Sequence, residues 1–336
     1  MDLKKMCLTS IIAFAFSESF DLFAQTKWAD QEVVKPRMRV IVDNDFGGDP
    51  DGFFHLAEQL LSPSCEVRGI VCSHHYKEFY DKPGNVSYAR FQVQKLLDVM
   101  KVKDIPVYVG SDNTMKDFTT PLESEGARAI VSEAMKEDDK SPLYILCGAG
   151  LTNIASAYLM EPRIADRITA VVWIGGPEYP DLCKNQLQQR REYNFGIDGK
   201  SAQMVFNHSS LTIWQFPRDV YRQCLYSYAE LKCRLSDCGK IGDFLMTQLD
   251  DILKRSKGRL GEAYVLGDNP LILATALQSA WEADAASTEY VIRKTPILND
   301  RGFYNNDSTQ RPMRVFTKVD TRLMLEDLIA KLKLAK

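Results

Sequence analysis

Short apolar runs and stretches of helical spacing alternate along this chain from Met38 to Pro217, and few folds satisfy that order. The runs "MRVIVDND", "CEVRGIVCSH", "IPVYVGS", "SPLYILCGAG", "ITAVVWIGG" and "LTIWQFP" read as strands. Between them, "DGFFHLAEQLLS", "NVSYARFQVQKLLDVM", "GARAIVSEAMKED", "LTNIASAYLMEP" and "GKSAQMVFNHS" read as helices. In the first of these, Phe54, Leu56, Ala57, Leu60 and Leu61 form one apolar stripe. Thr152 and Asn153 open the fourth and read as its caps. Strand–helix units repeated in this way predict an α/β fold with an open, mostly parallel sheet and helices on both faces. Leu225 to Ala283 reads as mostly helical, and "STEYVIRK" and "RPMRVFTKVD" as late strands. No repeat or long linker interrupts residues 30–336, which read as one domain.

The 42 basic and 45 acidic residues leave a net charge of −3, so the totals carry no footprint of a nucleic-acid or anionic-membrane binder. A small-molecule partner is the expectation. Residues 1–25 differ from the rest: Lys4 and Lys5 precede an apolar run from Met6 to Phe16, and a polar stretch ends at Phe23-Ala24-Gln25. That order predicts a signal peptide and a periplasmic or secreted mature protein. The apolar run is too short to span a bilayer. Removal of Cys7 with the signal leaves seven cysteines, an odd number that argues against a disulfide framework. Cys65 with Cys72, or Cys233 with Cys238, could pair in an oxidising compartment, and the others read as small buried hydrophobes.

In a parallel α/β sheet, ligands bind at the carboxyl ends of the strands. Three unusual segments fall there: "CGAG" after the fourth strand, "GGPEYP" after the fifth, and a turn with Asp43, Asp45, Asp49 and Asp51 after the first. Carboxylates this crowded repel one another unless they are fully solvated or a cation stands among them. Ca²⁺ takes six to eight oxygen ligands, and Gly47 and Gly48 let the backbone fold around such an ion. The plainer reading is an Asp/Gly/Pro turn with no ion. "VDND" also looks like the opening of haloacid-dehalogenase-type phosphatases, with Asp43 as nucleophile and Mg²⁺ as cofactor. That pattern expects a small hydroxyl residue soon after the second aspartate, and Phe46-Gly47-Gly48 stand there instead.

Several segments together resemble the inosine-uridine preferring nucleoside hydrolase family. "VDNDFGGDPDGFFHL" is similar to its opening D-x-D-x-G motif, and "CGAGLTNIASAYLMEPRIADRI" to its G-P-L-T-N-I-A signature. "EYNFGIDGKSAQMVF" is similar to its E-x-N-x-x-x-D segment, and "GDNPLILATAL" to its late H-D-P-L-A segment. The resemblance runs from about residue 39 to 280 and implies a nucleoside hydrolase fold and calcium-dependent cleavage of an N-ribosidic bond. It implies that Asp45 binds calcium and acts as general base, and that Asp268 is a distant ligand of the same ion. Gly148 falls where the family lends a backbone carbonyl to the metal, and Asp49 or Asp51 must take the place of the carboxylate ligand that the family has where Gly52 stands. Asp49, Asn153, Glu192 and Asn194 make up the implied substrate-binding group, with Glu192 and Asn194 on the ribose hydroxyls. The family is often oligomeric, which implies a homo-oligomer here.

These residue types suit the chemistry. N-glycosidic cleavage passes through an oxocarbenium-like transition state, for which a calcium-bound water and a carboxylate base supply the nucleophile. The chain departs from the family at Gly52, where a carboxylate ligand is expected, and at Gly267, where a histidine often stands. His74 and His75, at the end of the second strand, are the candidates for protonating the leaving group, with an inert loop pair as the plain alternative. His55 reads as packed inside the first helix, and Trp173 and Trp214 as core residues. The rival reading is a non-catalytic, metal-bearing sugar- or nucleoside-binding protein on the same scaffold.

Overall fold

A computed structural model describes Trp28 and residues 33–76, 86–183, 187–278 and 288–336. The signal-peptide expectation for residues 1–25, and Cys7 with it, lies outside the described residues. The strands are β1 Met38–Asn44, β2 Cys65–Cys72, β3 Val107–Val109, β4 Leu143–Cys147, β5 Ile168–Ile174, β6 Ile213–Phe216, β7 Leu225–Ser227, β8 Ala263–Val265, β9 Glu289–Leu298 and β10 Tyr304–Lys318. The α-helices are α1 Asp51–Leu60, α2 Val86–Met100, α3 Glu125–Ala134, α4 Thr152–Met160, α5 Tyr193–Ile197, α6 Gly199–Gln203, α7 Arg218–Tyr221, α8 Tyr228–Leu235, α9 Gly239–Arg255, α10 Pro270–Leu273 and α11 Thr321–Leu334.

Eight strands form one sheet in the order β3-β2-β1-β4-β5-β6-β10-β9, and β7 and β8 form a separate antiparallel pair. All neighbours in the large sheet are parallel except β9 and β10 at its edge. The chain lays down β1, β2 and β3 in one direction, then returns to place β4 on the other side of β1. That reversal makes the end of β1 the topological switch point, where the crevice of an open α/β sheet opens.

The alternation of side chains along each strand divides the core in two. Val40 and Val42 of β1 pack with α1, α2, α9 and α11, through Phe53, Val93, Leu245 and Leu328. Ile41 faces the other layer, against Ile130 of α3 and Ile154 of α4. Asp43 shares the parity of Ile41 and Asn44 that of Val42, so adjacent polar residues leave the strand toward opposite helix layers.

Two local expectations are corrected. Thr152 and Asn153 do not cap α4, whose N-cap is Leu151 with no side-chain cap. Both side chains bond carboxylates elsewhere in the molecule, because a buried carboxylate competes for a donor more strongly than a helix terminus does. The cysteine pairs do not form: Cys65, Cys72, Cys233 and Cys238 are all free. Cys65 and Cys72 end the same strand, about 23 Å apart at the usual rise, far beyond disulfide reach. Cys233 is exposed on α8, while Cys238 is buried with its thiol on the Arg234 carbonyl.

Candidate active site

Beyond Asn44 the backbone turns tightly enough for the Gly48 N–H to bond the Asp45 carbonyl at 3.1 Å. Gly47 adopts φ +88°, and a Cβ there would lie 2.9 Å from the Tyr88 ring, so only glycine suits this bend. The turn leads into α1, which begins at Asp51, where a carboxylate favours the helix dipole. Asp268, in the turn before α10, meets this group from 224 residues away through a 2.8 Å bond from Asn44 Nδ2.

Asp45, Asp49, Asp51 and Asp268 thus gather at one corner. Burial pushes the pKa of Asp45 well up, and the charges of Asp268, Asp49 and Asp43 push it further. Burial also raises Asp51 and Asp268, each with a contribution from neighbouring carboxylates. Asp49 is raised by burial and held back by the hydroxyl of Tyr264 and by Arg255. Asp45 Oδ2 is buried with no hydrogen-bond partner among the described residues. Such a group is costly unless something positive or proton-bearing reaches it.

The neighbouring carboxylates contrast with these. Asp43 accepts from Ser73 Oγ at 2.5 Å and from Asn153 Nδ2 at 3.2 Å, and burial outweighs these bonds to bring its pKa to about 7. Asp198 accepts from Thr152 Oγ1, Met115 N and Ser201 N. Glu192 is the N-cap of α5: Oε2 accepts from Gly176 N and Phe195 N, and Oε1 from the Tyr221 hydroxyl, each at 2.9 Å. Gly176 makes its bond from φ +87°, and a Cβ there would strike Gln215.

Of the residues expected to bind substrate, Asp49 lies in the carboxylate corner, and Glu192 is near enough to Asp268 for its charge to help raise that pKa. Asn194 Nδ2 donates to the carbonyls of Gly148 at 3.2 Å and Ile174 at 2.7 Å. Asn153 lies behind Asp43, its Nδ2 also on Ser73 Oγ and its Oδ1 accepting from Ser124, so it supports the β1 end from beneath. His75 packs on Gly48, with Nδ1 3.2 Å from where a Cβ would stand, and burial lowers its pKa. His74 turns toward β3 and contacts the Ser111 carbonyl at 2.8 Å. His55 is wholly buried in α1, as expected, and burial holds its pKa near 3. Trp173 is core, with Nε1 on the Ala149 carbonyl, while Trp214 is half-buried beneath the Arg314 guanidinium.

Sequence reasoning passed over four contributors. Asn44 ties the corner together, and Tyr264 caps Asp49. Tyr221 holds Glu192 and packs on Gly267, where a Cβ would lie 3.1 Å from its ring. Arg218 forms a buried bidentate pair with Glu178, at 2.7 Å for both bonds, just beyond Glu192. "FPRDVY" carried two of these, and its arginine beside a strand end was the available signal.

No three His, Cys, Asp or Glu groups among the described residues converge into a ready chelate. The donor chemistry still fits a hard cation: several buried carboxylates raise one another, and one oxygen is orphaned. Asp45, Asp49, Asp51 and Asp268 would hold it.

A sequence profile of inosine-uridine preferring nucleoside hydrolases matches residues 40–326. The inosine-uridine preferring nucleoside hydrolase of Leishmania major is 26% identical over 166 residues, which are 49% of this chain and 51% of that protein. The protein of the same description from Crithidia fasciculata is 24% identical over 156 residues, 39% of this chain and 47% of that one. The chain spans about half the length of the curated relatives it matches. A plant nucleoside hydrolase superposes with a TM-score of 0.67 over 89% of this chain and 99% of its own, at 17% identity, a likeness of fold.

Proposed function

This chain belongs to the inosine-uridine preferring nucleoside hydrolase family, and on that premise we propose that it hydrolyses the N-glycosidic bond of a ribonucleoside or related ribosyl compound with calcium as cofactor. The observation that carries the reading is the orphaned, buried carboxylate oxygen of Asp45 at the switch point of the sheet, facing further carboxylates that raise its pKa. When bound, a calcium ion supplies a Lewis-acid centre that orients and acidifies the attacking water.

The chain's own residues account for the rest. Asp45 takes the proton of the water: one of its carboxylate oxygens is buried and has no hydrogen-bond partner among the described residues, so it is open to the proton that the bound water gives up. Glu192 and Asn194 hold the ribose hydroxyls. Glu192 is anchored by three donors, so it meets the sugar already oriented and places negative potential near the developing oxocarbenium ion. His75, beside Asp45, has its pKa lowered by burial and is a neutral imidazole at pH 7, able to donate a hydrogen bond to a departing base. Residues 1–25 carry the export signal in this reading, and the mature N-terminus of the expressed protein tests it.

The rival reading is a protein that binds a nucleoside or sugar without cleaving it. Gly267 favours it, since no side chain at that position can protonate a leaving group. Ribose release from a panel of purine and pyrimidine nucleosides, with calcium and with chelator, separates the two. Calcium-dependent release is expected and ranks the leaving groups. Nucleoside binding with no release would establish the rival.

A further inference from the structure

The side chain of Asn44 bridges two carboxylate residues that the sequence places far apart. Its Nδ2 donates to Asp268 Oδ2 at 2.8 Å, and its Oδ1 accepts from the backbone N–H of Asp45 at 2.8 Å. Both ends of the amide are therefore committed, one to the proposed base and one to the opposing carboxylate. Two glycines make room for it. A Cβ at Gly52 would lie 2.9 Å from Asn44 Nδ2 and 3.1 Å from its Cγ, and all three of the nearest atoms there belong to Asn44. A Cβ at Gly148 would lie 2.3 Å from the same nitrogen and 2.8 Å from Asp268 Cγ. Gly52 sits within α1 at negative φ, where alanine would ordinarily be the better helix former. Its glycine is therefore explained by the neighbour and not by the backbone.

We propose that Asn44 is a positioning residue: its amide fills the corner lined by Gly52 and Gly148 and fixes the Asp268 carboxylate against Asp45. The inference rests on the calcium reading above for its effect on the ion, but not for its packing. Burial offers Asp268 few donors, and a neutral amide stabilises it there without competing for the cation as a lysine or arginine would. Orienting bonds of this kind around a metal ligand change affinity by about 10–100-fold when removed.

Two measurements on the full chain test this. Calorimetric titration with calcium is expected to show a roughly 10–100-fold weaker affinity for Asn44→Ala than for the unaltered protein; equal affinity would overturn the positioning role. In thermal melts without metal, Gly52→Ala alone is expected to lower the midpoint by a few degrees, because its methyl group meets the amide. Introduced together with Asn44→Ala, the same change is expected to raise the midpoint relative to Asn44→Ala alone. A shift of the same sign in both backgrounds would overturn the packing claim. Asn44→Ser replaces Asn44→Ala if the latter does not fold. A protein that takes up no calcium in its unaltered form would defeat the cofactor reading, while the sign of the Gly52→Ala shift would still decide for or against Asn44.

Discussion

Two sets of buried carboxylates share one edge of the sheet, and they are satisfied in opposite ways. Asp198 and Glu192 are surrounded by donors: Met115 N, Thr152 Oγ1 and Ser201 N for the first, and Gly176 N, Phe195 N and Tyr221 Oη for the second. Asp45 has an oxygen with no partner among the described residues, and the carboxylates facing it raise its pKa rather than lower it. Burial alone therefore does not mark a functional acid. A carboxylate supplied with backbone and hydroxyl donors is fixed in orientation, as a loop anchor at Asp198 and as a pre-set sugar contact in the proposed role of Glu192. A buried carboxylate short of donors instead awaits a cation or a proton. Asp43 resembles the donor-rich set: burial raises its pKa despite bonds from Ser73 and Asn153, as it raises those of Asp198 and Glu192 despite theirs.

The strongest way to break this contrast is Asp45→Asn. Loss of a general base is expected to lower turnover by about 10²–10⁴-fold. Removal of a buried like charge should leave the melting temperature of the metal-free protein unchanged or higher. Near-normal turnover would remove Asp45 from the base role.

The pH dependence of stability sharpens the same point. Carboxyl groups with raised folded-state pKa values hold protons that the unfolded chain has already released, so folding binds protons in the interval between the two values. The metal-free protein should therefore lose stability as pH rises from about 4, where unfolded carboxyls titrate, toward about 7, where Asp43 titrates. Calcium should restore the part owed to Asp45, Asp51 and Asp268. Melts across this range with calcium and with chelator check it, and a metal-free stability that rises with pH would contradict it.

In the donor-rich set the effect falls on stability. Asp198→Asn turns an amide N–H₂ toward either Met115 N or Ser201 N, and one bad contact of this kind is expected to cost about 1–3 kcal/mol in denaturant unfolding. The smallest expected effect is that of Tyr264→Phe. It removes the hydroxyl that holds Asp49 and should weaken calcium binding by about 1 kcal/mol, roughly fivefold.

The layers of the fold were legible because strands and helices repeat with different periods, and strands buried on both faces are apolar throughout. Parts of β9 and β10 were legible in "STEYVIRK" and "RPMRVFTKVD", while residues 304–310 were not, because that end of β10 is polar and mostly exposed. The short β7–β8 pair was not, since three-residue strands inside a mostly helical stretch carry too few residues to show a period. Thr152 and Asn153 misled as caps because their donors go to Asp198 and Asp43, which a local reading cannot bring near. The aspartates of the first turn were visible as a crowd, but which of them lack donors depends on Tyr264 and Asn44 reaching them in three dimensions. Asn44 was the least legible, because its place is defined by side chains absent at Gly52 and Gly148.

The most direct test sets the two kinds of carboxylate side by side: calcium-saturated ribose release by Asp45→Asn and Asp198→Asn, each expressed per folded molecule. Asp45→Asn is expected to be folded and inactive, and Asp198→Asn less stable yet close to full activity in its folded fraction. An active Asp45→Asn beside an inactive, well-folded Asp198→Asn would contradict the assignment of the donor-poor corner as the catalytic one.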